Sequence, residues 1–234
     1  MRSFRRLMVL PMLLATAWVS HGCDQIGVVG GFIASAVPRH VTAAYKGLAN
    51  QTCVVVVWVD QGPRMDYPDL QLDVASGLQN KLIEVQAADH PDELTKTTFP
   101  VNTSMIVDDQ DKHPELEQLP ATEVAKRYIG TRLIYVTVTD FTVHANMSPE
   151  LFRGKMTADI KVIEVTPDPA RPDDSKSAIA KQVFSDADIT VLFPKTDPTD
   201  GLPIGTESTT TQGTVKAMVD MLAKKFYTHD EDRD

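Results

Sequence analysis

The sequence predicts an α/β fold, a single mixed sheet with flanking helices in two or three layers, following an N-terminal export segment. Three observations carry this expectation. Residues 52–59, Thr-Cys-Val-Val-Val-Val-Trp-Val, form an unbroken apolar, β-branched run, the composition of a strand covered on both faces. Val74, Leu78, Leu82 and Val85 recur at i, i+4, i+8 and i+11, which is one face of a helix. Two later segments, 131–143 and 155–165, alternate with period two, as half-buried strands do.

Each element follows from its residues. Ahead of the first strand, Gly30, Gly31 and Pro38 interrupt an apolar segment, and residues 42–49 are expected to form a short helical lead-in. The glycines of residues 26–33 have neither GxGxxG nor GxxxxGK[ST] spacing, and they precede the first strand instead of following one, so they are not a phosphate loop. Residues 60–63, Asp-Gln-Gly-Pro, read as a turn, after which Asp69 can cap the helix that runs through Val85. Residues 95–107 read as a second strand or a loop around Pro100. Residues 120–128 form a short helix stopped near Gly130, and residues 131–143 complete a β-α-β rhythm. In that strand Ile134, Val136 and Val138 face one way, with Tyr135, Thr137 and Thr139 on the other side. The next strand sets Met156, Ala158, Ile160 and Val162 against Lys155, Thr157, Asp159 and Lys161, so one of its faces meets solvent in an antiparallel pair. Residues 167–177 are a Pro/Asp/Ser loop, 183–193 a further strand and 194–213 a linker. Val215, Met218, Val219, Leu222 and Phe226 then recur at helical spacing. The expected organisation is a leader at 1–22, a tether and lead-in helix at 23–50, one α/β domain at 51–228 and an acidic tail at 229–234.

With 42% hydrophobic and 24% charged residues, the composition is that of a folded globular chain. Arg2, Arg5 and Arg6 precede a 13-residue run, 7–19, that is apolar except for Thr16. That is short for a membrane span and suits the core of a secretion signal. Without residues 1–22 the chain carries 20 basic and 32 acidic side chains, a charge of −12 in place of −9. This balance argues against non-specific affinity for nucleic acid or anionic lipid. Cys23 directly after Gly22 resembles the lipobox of bacterial lipoproteins, although Ser20 and His21 stand where such boxes carry an aliphatic and a small residue. The resemblance implies acylation of Cys23 and a lipid-anchored position on the periplasmic face of a bacterial membrane. Asp24 resembles an enterobacterial inner-membrane retention signal, a code that leaves the membrane open in other groups. The alternatives are an ordinary signal cut near Gly22, or an uncleaved anchor. Cys53, in the first strand, is expected to be a buried core thiol; pairing with Cys23 is the alternative if Cys23 is not acylated.

The order of elements resembles the periplasmic α/β fold shared by the TolB N-terminal domain and the lipoproteins CsgG, LpoB and PelC. The resemblance rests on the 54–59 strand, the 69–85 helix, the 128–135 helix-to-strand passage, the 156–165 strand and the 215–226 helix. A closer resemblance, to predicted lipoproteins of planctomycetes, rests on the leader and on the segments 67–69, 111–114 and 151–154. These resemblances imply a non-catalytic adaptor or assembly component of the cell envelope, whose partner is an envelope protein or a second copy of the chain. No long membrane-crossing hairpins of the CsgG type are present in the sequence, and the approach to the first strand is apolar, unlike the proline-rich tether of LpoB. A periplasmic ligand-binding or sensing module is the alternative function, with an enzyme a remote third.

The candidate chemistry is sparse. Residues 108–115, Asp-Asp-Gln-Asp-Lys-His-Pro-Glu, gather carboxylates and an imidazole but lack EF-hand order and HExxH, and are expected in a solvated loop. A Cys53–His113 thiol site would require folding to bring the two together. There is no Gly-x-Ser-x-Gly elbow. No catalytic residue, metal site or cofactor is therefore expected. Trp58, Tyr67 and Tyr135 are the candidate aromatic partner surface, with core packing as the competing reading. Arg64, Lys112, Arg127, Arg132, Arg153 and Lys155 form a basic patch only if the fold gathers them. The Asn-x-Ser/Thr matches at Asn50, Asn102 and Asn146 carry no function in a bacterial chain.

Overall fold

A strand of consecutive valines is stable only where both of its faces are covered. The computed structural model of the protein describes residues 39–89, 91–144, 152–171, 177–195 and 206–231; the leader, Cys23 and the tether fall outside them. In chain order the elements are β1 (Arg39–Val41), β2 (Cys53–Val59), α1 (Gln61–Asp66), α2 (Leu70–Asp89), α3 (Thr103–Lys112), α4 (Ala121–Ala125), β3 (Arg132–His144), β4 (Phe152–Thr166), β5 (Ile179–Phe193), α5 (Glu207–Ala223) and β6 (His229–Glu231). Short 3-10 turns lie at Asp92–Leu94 and Pro114–Gln118.

The chain divides into two compact units. Residues Thr42–Thr228 hold a four-stranded sheet of order β2-β3-β4-β5. β2 and β3 run parallel, from Cys53 opposite Arg132 to Val59 opposite Val138, and the other two pairings are antiparallel. In the other unit β1 and β6 pair antiparallel, with His40 opposite Asp230 and their side chains 3.0 Å apart. The acidic stretch expected as a tail from residue 229 therefore contains a strand, because Arg39 and His40 supply cross-strand partners for Glu231 and Asp230.

All seven residues of β2 are buried. On one face Cys53, Val55, Val57 and Val59 pack with the Val74, Leu78, Leu82 and Val85 stripe of α2, and the same core includes Met218 and Leu222 of α5. On the other face Val54, Val56 and Trp58 meet Ile106 of α3, Leu116, and Val124 and Ala125 of α4. The sheet is thus a three-layer sandwich over β2 and β3. Towards β5 the second helical layer ends: Met156, Ala158, Ile160 and Val162 are buried against the α2/α5 side, and Lys155 on the reverse face is exposed. Among the described residues no helix is long and apolar enough to cross a membrane.

Helix α5 starts earlier than its apolar spacing implies. Thr206 and Thr209 form a reciprocal cap, and residues assigned to a linker from the sequence make the first turns. The reason is close packing. A Cβ on Gly154 of β4 would overlap Thr214 Oγ1, and one on Gly213 would overlap the Phe193 ring. Thr214 is buried and donates to the Thr210 carbonyl at 2.7 Å, so its hydroxyl is satisfied inside the helix. Residues 95–107 also differ from expectation. Only Thr98 bridges to Thr52, and Asn102 caps α3 by accepting from the Ser104 N–H. The lead-in at 42–49 ends in a turn at 47–50, with Asn50 at φ 58, in place of a helix, and the turn expected at 60–63 opens α1.

Gly154→Ala is expected to destabilise the unit by about 1–3 kcal/mol through overpacking. Gly62→Ala, in α1 where an added Cβ meets nothing within 4 Å, is expected to be neutral or to stabilise by about 0.5–1 kcal/mol. Urea denaturation midpoints of the two variants check both.

Candidate functional site

The expected aromatic surface is not brought together. Trp58 is 2% exposed and Tyr135 is 8% exposed, both in the cluster under α3 and α4. Alternation puts both side chains on that face, where the helical layer covers them. Among the described residues the Trp58 indole Nε1 has no hydrogen-bond partner. Burial pushes the Tyr135 phenol up to about 12, with the Glu117 carboxylate adding to the shift. Tyr67 lies with the opposite cluster, edge-to-face on Phe141 with ring centroids 4.7 Å apart, and its hydroxyl donates to Glu207 Oε1 at 3.3 Å. Cys23 lies outside the described residues.

The acidic segment 108–115 is the end of α3 followed by a 3-10 turn, not a loop. Thr103, Ile106 and Gln110 form its buried stripe at i, i+3 and i+7, and the carboxylates point away from that stripe. Asp109 accepts from Arg127 Nε at 2.6 Å and Nη2 at 2.7 Å, and from the Tyr128 hydroxyl at 3.1 Å. The bidentate arginine, then the phenol, hold the Asp109 carboxyl below its ordinary value against the opposing effect of burial. His113 pairs with Glu115 at 3.0 Å, and Arg64 with Asp111. Arg132 meets Glu164 at 2.9 Å, and Lys155 meets Asp140 at 2.9 Å. Arg64, Arg127, Arg132 and Lys155, considered as parts of a basic patch, are thus spread over separate ion pairs. Among the described residues, no group of three or more His, Cys, Asp or Glu side chains is placed to hold a metal ion.

Cys53 is fully buried at the start of β2 and faces α2, while His113 is half-buried at the end of α3, the helix on the other face of the sheet. Burial pushes the Cys53 thiol up to about 12, opposed by the Arg132 guanidinium, so almost none of it is thiolate at neutral pH.

The polar residue that matters in this region is Gln110. Its Nε2 donates to the Val57 carbonyl at 3.0 Å, and its Oε1 accepts from Gln71 Nε2 at 2.9 Å; both glutamines are buried. Cys53 N–H donates to the Thr98 carbonyl at 2.7 Å on the same margin of β2. The β2 edge of the sheet is therefore covered by protein groups, two of which hydrogen-bond it, and all seven residues of β2 are buried. Its opposite edge is different. β5 has 15 residues and a single hydrogen-bonded neighbour, β4, among the described strands. Ile179, Val183 and Leu192 are exposed on it. Two register shifts, Asp188 at φ 55, and the charges of Lys181, Asp186 and Asp188 interrupt its first two-thirds. Residues 189–193 follow without such an interruption. Beside them Thr190, Val191, Leu192 and Lys195 form one wall of a cleft of about 450 Å³, and Ala217, Asp220 and Met221 of α5, with Lys224 at its C-terminus, form the other. This edge was not among the candidates the sequence offered; the apolar Leu192, out of step with the buried Ile189 and Val191, was its signal.

No family model and no curated protein matches the chain. Three solved structures are similar to it in layout. The lipoprotein GNA1162 of Neisseria meningitidis has 12% identity and a TM-score of 0.36, covering 74% of this chain and 97% of its own. A PelC dodecamer from Paraburkholderia phytofirmans has 12% identity and a TM-score of 0.39, covering 82% and 99%. A second crystal form of the PelC dodecamer has 9% identity and a TM-score of 0.36, covering 82% and 97%. At these scores the activity and assembly of those proteins stay with them.

The depressed Asp109 carboxyl contributes stability that is present above the ordinary carboxylate value and is lost as pH falls through its lower folded value. Because solvent screens the pair, Asp109→Asn is expected to cost about 1 kcal/mol or less at neutral pH, and the difference from wild type should shrink as pH drops below about 4. Urea titrations at several pH values check it. Iodoacetamide is expected to leave Cys53 unlabelled in the native chain and to label it in urea, read by intact mass.

Proposed function

We propose that the protein is a lipid-anchored, non-catalytic adaptor or assembly component of a bacterial cell-envelope complex. In this reading Cys23 carries the anchor at the periplasmic face of a membrane, and β5 engages the partner. The observation that carries the docking role is the asymmetry of the sheet: the β2 edge is covered and hydrogen-bonded by Gln110 and Thr98, while β5 has no neighbour beyond β4 among the described strands, carries exposed apolar side chains, and is uninterrupted over residues 189–193. An unpaired strand edge is a template for another chain, and folded proteins blunt such edges unless they are used. The acidic surplus and the dispersal of the arginines into ion pairs favour a protein partner over nucleic acid. The leader and the Gly22–Cys23 junction support the anchor. Acyl chains would bind a bilayer with about 0.8 kcal/mol per buried methylene, enough for stable attachment when more than one is present.

Two measurements test this. Intact mass of the membrane-extracted wild-type chain is expected to include acyl groups that Cys23→Ala lacks, with the variant released to the soluble fraction; an unmodified wild-type chain overturns the anchor. A photo-crosslinking amino acid placed at Ile179 or Leu192 in intact cells is expected to give a discrete protein adduct, with none from Met65, which is exposed on α1. Absence of adducts along β5 overturns the docking role.

A further inference from the structure

We propose that residues 189–193 of β5 pair antiparallel with the same residues of a second copy of this chain, about a two-fold axis at Val191, and join the two sheets into one. This rests on the docking role proposed for β5 and names its partner. The backbone of residues 189–193 has β4 on one side and no described strand on the other. The rest of β5 is a poor template, because two register shifts and the left-handed backbone of Asp188 interrupt its edge. Val191 is the centre of the uninterrupted stretch, so an axis there overlaps all of it with its symmetry mate. An axis perpendicular to the sheet pairs two identical edges antiparallel and keeps both α5 helices on one face of the joined sheet.

Two features of this stretch are complementary to themselves. The first is charge. With Val191 on the axis, Phe193 of the second copy stands opposite Ile189, and the chain leaving that strand passes Asp188. Lys195 follows Phe193 by two residues, and its four-carbon stem is long enough to meet that carboxylate. Asp188 and Lys195 are both exposed, and neither forms an ion pair among the described residues of its own chain. Asp186, the neighbouring acid, is already held by Lys225 at 2.8 Å, which leaves Asp188 as the acceptor. Symmetry makes the contact twice. Two copies of a chain with net charge −9 repel at long range, so an interface between them needs a local match of this kind.

The second feature is apolar surface on both sides of the new strand pair. Ile189 and Val191 point towards α5, so alternation puts Leu192 on the other face, where it is 40% exposed. Across the axis it stands opposite Thr190 of the second copy and diagonal to that copy's Leu192, a separation of about 7–8 Å that two leucines can bridge. On the α5 side, Ala217 and Met221 line the cleft beside the strand, and Met221 is 37% exposed. The two clefts meet across the axis, and pairing covers both.

The test uses the full-length chain in membranes of the expressing cells, with two different epitope tags on two co-expressed copies and copper-phenanthroline as the oxidant. Thr190→Cys on one copy and Leu192→Cys on the other are expected to give a disulfide that joins the two tags, because pairing about Val191 sets these positions directly opposite. Lys181→Cys, ten residues from the axis, is expected to stay monomeric, as is the wild-type chain, whose Cys53 is buried. Sedimentation of the detergent-extracted protein is expected to show a monomer–dimer equilibrium that Lys195→Glu weakens about tenfold, since it sets a glutamate against Asp188 at both symmetric contacts. Adding Asp188→Asn, a residue that tolerates the left-handed backbone there, is expected to recover about threefold of that loss by removing the repulsion. Absence of the joined-tag disulfide, a monomer at about 0.1 mM, a dimer indifferent to Lys195→Glu, or no recovery with Asp188→Asn overturns the inference. Adducts from Leu192 in cells that contain a different protein, without the joined-tag disulfide, remove the second copy as occupant and leave the docking role standing. Neither adduct nor disulfide removes both.

Discussion

Burial of β2 on both faces is the constraint on which the rest of the unit depends. A parallel pair such as β2 and β3 cannot be closed by a hairpin, and its crossover must carry helices. Here that crossover supplies cover to both sides, with α2 beneath one face and α3 and α4 over the other. The valines of β2 fill both interfaces without a polar atom to satisfy. What remains is backbone along the outer margin of β2, and Gln110 and the Thr98 carbonyl answer it with hydrogen bonds. A buried amide in that position is tolerable because the Val57 carbonyl and Gln71 satisfy it on both sides.

The same arrangement explains why, among the described strands, β5 has a neighbour on one side only. The crossover helices lie mainly over β2 and β3; α4 reaches only Ile163 and Val165 of β4 and Ala180 of β5, and α5 covers β4 and β5 from the other face. It does so closely, through Gly154 and Gly213, but on a single face. The strands on that side must then be amphipathic, and their reverse face carries Lys155, Thr157 and Asp159, with the Thr157 and Thr190 hydroxyls 2.9 Å apart. The docking role proposed above uses the strand that these helices cover least.

Electrostatics reinforces the division. Around α3 the carboxylates are matched by Arg64 and Arg127, which converts a segment with the look of a metal or acid-base site into a structural staple between α3 and the chain entering β3. The Cys53 thiol, held neutral by burial, is likewise a packing group. The Asp109 and Cys53 side chains are thus committed to structure, and the cleft beside β5 is one place where charge and apolar surface face solvent together.

The α/β class, the doubly buried first strand, the long helix through Val85, the alternation of β3 and β4, and the buried character of Cys53 were all legible in the residues. They are legible because hydrophobic period records which faces are covered. The helix at 103–112 was not, because its stripe is Thr103, Ile106 and Gln110, and a buried glutamine reads as polar until its partner is known. Nor could the period separate Trp58 and Tyr135 from Tyr67, since an aromatic side chain is equally at home in a core and on a surface. The early start of α5 was hidden for a related reason: Thr210, Gly213 and Thr214 look like linker residues, and only their close approach to β4 and β5 makes them helical core. Which edge is covered and which is left with one neighbour emerges only once the chain is folded, because it depends on where the crossover helices come to rest, a property of the assembled layers that no local period encodes.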